Sequence, residues 1–78
     1  MMCDLIREKI FQDTAHLKVG DHWRFQHQIK TIEALNIDFD TLTEIMAELC
    51  ERGYFERIED GLMIHYIVLK KPNGGSFR

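Results

Sequence analysis

Apolar residues recur at helical spacing in three stretches of this chain and alternate in two others. Met2, Ile6 and Ile10 share a line with Asp13, Leu5 lies beside it and Phe11 widens it, while Arg7, Glu8, Lys9 and Gln12 fill the other side. That spacing predicts a helix over residues 2–16. "HLKVGDHW" breaks the pattern: Leu17 and Val19 alternate around Lys18, which predicts a short strand, and Gly20-Asp21 is a turn signal. Asp21 is expected to cap a second helix over 22–35, with Phe25, Ile29, Ile32 and Leu35 or Asn36 as its stripe. Asn36 suits the left-handed conformation of a tight turn. Asp38 or Asp40 then caps a third helix, whose stripe is Leu42, Ile45, Met46, Leu49 and Cys50, and Arg52-Gly53 stops it.

"YFERIEDGLMIHYIVLKK" reads as a hairpin around Asp60-Gly61, a favoured type I′ dipeptide. With those two residues as the loop, Phe55 faces Tyr66 and Arg57 faces Ile64 on one face. On the other, Ile58 faces Met63 and Glu56 faces His65. Leu35, Ile37, Leu42, Ile45 and Leu49 are the expected core. The expected organisation is one domain over 1–71 and a flexible tail over 72–78, "PNGGSFR", which shows no periodicity.

Length changes the picture by making every apolar stripe necessary. A chain of 78 residues buries only ~60% of its unfolded surface. A net charge of −3 argues against a generally basic nucleic-acid binder and leaves room for a local basic patch. Cys3 and Cys50 do not form a Cys-x-x-Cys pair, and reduced thiols are expected. The first residues include Asp4 and no long apolar run, so they are not read as a signal peptide. No stretch approaches the ~18 apolar residues that span a bilayer, so no membrane partner is expected and the expected location is the cytoplasm.

Candidate chemistry adds little. His22 and His27 are five apart, and His16 and His65 are isolated, so none has a ligand at i+3 or i+4 and no metal is expected. Ser76 is the sole serine, and there is no glycine-rich phosphate loop. Neither a cofactor nor a catalytic group is expected, and the chain is not read as an enzyme.

The order helix, short strand, helix, tight turn, helix, hairpin resembles the winged helix-turn-helix superfamily, from about Leu5 to Leu69. The residues that carry the likeness are Leu35, Asn36, Ile37 and Asp38, then Thr41 and Leu42, Ile45 and Leu49, and Gly53, with no insertion. The resemblance implies a small α+β fold of three helices plus a C-terminal β-hairpin wing. In DNA-binding members of the superfamily, the exposed face of the third helix reads the major groove. Carried over by position, that face is Phe39, Asp40, Thr43, Glu44, Ala47, Glu48 and Glu51. Carboxylates offer no donor to phosphate and sit against a dense line of negative charge.

Two expectations follow. The first is a non-enzymatic protein-interaction module or small regulator whose third helix, through Asp40, Thr43, Glu44, Glu48 and Glu51, meets a basic surface on a partner protein. The second is a small DNA-binding transcriptional regulator that docks through its wing, its second helix or its tail, using Arg24, Lys30, Lys70, Lys71 and Arg78; of the two, nucleic acid is the disfavoured partner. The apolar load of the hairpin and first helix in so short a chain also predicts a homodimer.

Overall fold

The computed structural model describes residues 2–72. The proposed tail therefore lies outside the described residues except for Pro72. The described part is α+β: helices α1 (Met2–Asp13), α2 (Phe25–Leu35) and α3 (Phe39–Glu51), and strands β1 (His22–Trp23), β2 (Phe55–Asp60) and β3 (Met63–Val68). The strands form one antiparallel sheet in the order β1-β3-β2.

Helix α1 buries Ile6 and Ile10 and ends three residues earlier than its periodicity predicts. The Thr14 hydroxyl turns back to donate to the Ile10 carbonyl at 2.8 Å. The Lys71 ammonium donates to the Thr14 carbonyl at 2.8 Å and the Ala15 carbonyl at 3.3 Å. A cation thus satisfies orphan carbonyls at the negative end of a helix whose own last turn holds no basic residue.

The expected strand at 17–19 is a turn instead. The Lys18 amide donates to the Asp21 carboxylate at 2.9 Å, and Gly20 takes a φ of 96° that a side chain would resist. Pairing starts at His22, and its alternation is set by Trp23, which is 1% exposed against Tyr66, while Val19 is 63% exposed. Asp21 closes this turn and so does not cap α2. The N-cap is Arg24, in extended conformation and without a side-chain cap, which delays α2 to Phe25.

In α2 the fully buried residues are Gln28 and Thr31; of the predicted stripe, Ile32 and Leu35 pack half-buried against the core and Phe25 is half-buried, while Ile29 is 37% exposed. The Gln28 amide donates to the Trp23 and Ile64 carbonyls at 3.0 and 3.1 Å, and the Thr31 hydroxyl donates to the Asp13 carboxylate at 2.5 Å. Two polar groups can occupy the inner face because other elements supply their partners.

The turn into α3 follows the sequence. Asn36 is left-handed with a φ of 56°, and the Asp38 carboxylate accepts from the Thr41 amide at 2.8 Å. Hydrogen bonding from Thr41, through its hydroxyl first and its amide second, holds the Asp38 carboxyl below its ordinary value. Leu42, Ile45, Met46 and Leu49 of α3 join Ile6, Ile10, Trp23, Phe55, Tyr66 and Val68 in the core. Leu35 and Ile37, expected within it, are only half-buried against it, because they flank the turn.

The hairpin register differs from expectation by two residues. Asp60 pairs with Met63, so Gly61-Leu62 is the loop, and Phe55 pairs with Val68 rather than Tyr66. Gly61 has a φ of 66° and Leu62 is not left-handed, the pattern of a type II′ turn with glycine first. A shift of two preserves side-chain parity. Phe55, Tyr66 and Val68 therefore still point inward, and Glu56, Ile58, His65 and Ile67 still share the outer face.

Candidate interaction surface

Helix α3 divides its side chains sharply. Leu42, Ile45, Met46 and Leu49 face the core, and Asp40, Glu44, Ala47 and Glu51 are exposed. Positions 40, 44, 47 and 51 fall on one line by helical periodicity. Asp40, Glu44 and Glu51 have no ion-pair partner among the described residues.

Glu48 lies on the flank of that line and is tied into the fold. It accepts from the Arg7 guanidinium at 2.9 Å and pairs with Arg52 at 2.9 Å. Arg7 also pairs with Asp4. Although partial burial opposes its charge, these carboxylates hold the Arg7 guanidinium above its ordinary value. The cleft around these pairs, about 310 Å³, is lined by Asp4, Arg7, Glu8, Phe11, Leu49, Arg52 and Tyr54. Thr43 is half-buried and its hydroxyl donates to the Phe39 carbonyl at 2.9 Å, so its proton is already used within the helix. Phe39 is half-buried edge-to-face on Phe25, with centroids 5.5 Å apart.

The basic candidates also separate. Arg24 and Lys30 are exposed and make no ion pair among the described residues. Lys70 sits over the Tyr54 ring at 4.8 Å, and Lys71 holds the end of α1. Arg78 lies outside the described residues. Cys50 is a free thiol, and burial pushes it above its ordinary value despite the pull of Arg57, so it is a poor nucleophile.

The structure brings His22 and His65 together, with ring centroids 4.8 Å apart. Chain spacing conceals this pair. The signal that reveals it is the alternation of His22 out and Trp23 in: once β1 is placed there and paired with β3, His22 lies beside Ile67 and diagonally from His65. No helix among the described residues is long and apolar enough to cross a membrane. The protein these features define is a small α+β domain with an acidic helix face. No family model matches the chain, and no curated protein or solved structure matches it either.

Proposed function

We propose that the chain is a winged-helix-like interaction module that presents α3 to a basic surface on a partner protein. The element order and the β1-β3-β2 sheet are compatible with that fold. The observation that carries the function is the exposed line of Asp40, Glu44 and Glu51 with no cation paired to it among the described residues. Acids in that array repel a phosphate backbone and attract lysine and arginine. Glu48 takes no part in recognition in this reading, because Arg7 and Arg52 already neutralise it.

The test is charge reversal, Asp40→Lys with Glu44→Lys, in affinity capture at low and high salt. The expected result is a basic protein retained at low salt, released by salt and not captured by the variant. Retention that ignores both salt and the substitutions overturns the reading.

A second reading has its own observation: Arg24 and Lys30 are the members of the proposed nucleic-acid set that stand exposed and unpaired among the described residues. Salt-sensitive duplex binding that Arg24→Ala and Lys30→Ala remove, and the α3 reversal leaves in place, favours a regulator docking on DNA through α2.

A further inference from the structure

The outer face of the sheet is lined in register. His22 lies beside Ile67, which lies beside Glu56, and His65 lies beside Ile58 one row on. His22 is exposed and His65 half-buried, so ring edges remain open to solvent. Their centroids are 4.8 Å apart with the planes tilted by 40°.

The distance is informative. A zinc–imidazole bond is about 2.0–2.1 Å, which with the ring's own radius puts a centroid ~3.2 Å from a bound ion. Two such rings then stand ~4.5 Å apart at a right-angled coordination and ~5.2 Å apart at a tetrahedral one. The observed separation falls between the two. Turning either ring about its Cβ–Cγ bond swings the nitrogens and barely moves the centroid. Separation is therefore the constraint the backbone must meet, and this torsion is soft in histidine.

The geometry points to His22 and His65 as a two-imidazole site for a late first-row divalent ion such as zinc or nickel. Imidazole suits these ions. Two neighbouring strands carry the pair, and its separation already lies in the range that a shared ion needs. No group of three ligating side chains occurs among the described residues, so the remaining positions on the ion stay open to water or to a further ligand. Asp60, which shares a groove with His65, and Glu56, beside Ile67, add negative potential on this side; Arg24 in the same groove opposes it.

The test titrates the full chain with zinc chloride and, separately, nickel chloride. Binding is read by calorimetry, and the zinc titration is also followed through the ring resonances of each histidine by NMR. The expected result is saturable binding of both ions, with His22 and His65 ring signals shifting together under zinc and those of His16 and His27 unmoved. His22→Ala is expected to weaken binding at least about tenfold. A second variant, His22→Gln, keeps a polar residue on the exposed strand and is expected to weaken it equally, with the circular dichroism spectrum unchanged in both. The site-resolved readout keeps thiol binding at Cys3 or Cys50 apart. Absence of saturable binding, undiminished affinity in the two variants, or shifts centred on His16 and His27 would each overturn the assignment.

Discussion

Gln28→Glu exchanges one nitrogen for oxygen at a position with no exposure, and its consequences follow from the atoms around it. The Gln28 amide nitrogen donates to the carbonyls of Trp23 and Ile64, and its own oxygen has no partner. Both neighbours are acceptors only, so the NH2 group must face them. A carboxylic acid has one O–H to offer, which deprives one carbonyl of its donor, at about 1–3 kcal/mol. It must also stay protonated, because a carboxylate would face two carbonyl oxygens without water. Holding that proton at pH 7 against an ordinary glutamate value of about 4.3 costs about 1.36 kcal/mol per unit, or ~3.7 kcal/mol.

The total is ~5–7 kcal/mol at pH 7, comparable to the whole stability of many small domains at ~5–15 kcal/mol. The introduced group's folded pKa lies above its unfolded one. The proton penalty is therefore absent below the unfolded value and grows as pH rises toward the folded value. Near pH 4 only the hydrogen-bond loss of about 1–3 kcal/mol remains. Urea denaturation followed by the fluorescence of Trp23, the sole tryptophan, measures this at several pH values with the unsubstituted chain alongside. Gln28→Met, which removes both donors along with the unpartnered oxygen, is expected to cost about 2–6 kcal/mol for the two orphaned carbonyls and to do so independently of pH. A Gln28→Glu penalty that is flat with pH, or below about 1 kcal/mol at pH 7, refutes the reasoning.

Leu49→Ala, at a site 1% exposed, is expected to cost ~2–5 kcal/mol in denaturant unfolding, and an unchanged midpoint would remove Leu49 from the core. Asp38, held below its ordinary value of 3.8 by Thr41, contributes stability that is full above that value. The contribution is lost as pH falls through the lower folded value. Asp38→Ala should therefore flatten part of the stability loss in an acid titration, and an unaltered acid limb argues against the cap. In a Cys3→Ser variant, Cys50 should be alkylated by iodoacetamide at neutral pH more slowly than in the urea-unfolded chain; intact-mass kinetics showing equal rates would contradict its burial.

What the sequence discloses is what short-range chemistry decides. Asn36 in the left-handed turn, Asp38 as cap, Gly53 at a φ of 87° and the stripe of Leu42, Ile45 and Leu49 all depend on neighbours within a few residues. What it hides depends on partners far along the chain. Gln28 and Thr31 displace Ile29 from the inner face because Ile64 and Asp13 stand ready to bond them. The strand of β1 has two residues, and Trp23 packing on Tyr66 selects it over the more regular alternation at 17–19. The hairpin loop moves from Asp60-Gly61 to Gly61-Leu62, although both place a glycine where the chain turns left-handed. Faces survive that shift because parity does, whereas cross-strand partners do not.

The same division applies to the acidic surface. The sequence places five acids on α3 or at its cap, from Asp38 to Glu51, and does not tell them apart. Folding distinguishes them. Asp38 closes the first turn through Thr41, and Glu48 is held between Arg7 from α1 and Arg52 from its own helix. Asp40, Glu44 and Glu51 are left with their charge outward, a narrower array than the sequence implies and one aligned along the helix axis. Substitution at Glu48 is therefore a poor probe of recognition. Reversing it would set a cation against Arg7 and Arg52 and disturb the α1–α3 contact, so a lost complex would report a damaged fold. Glu44 carries no such internal duty, whereas Asp40 sits in the first turn of α3 and favours the helix dipole, so a loss of binding on reversal of Glu44 alone bears most directly on the proposed partner surface.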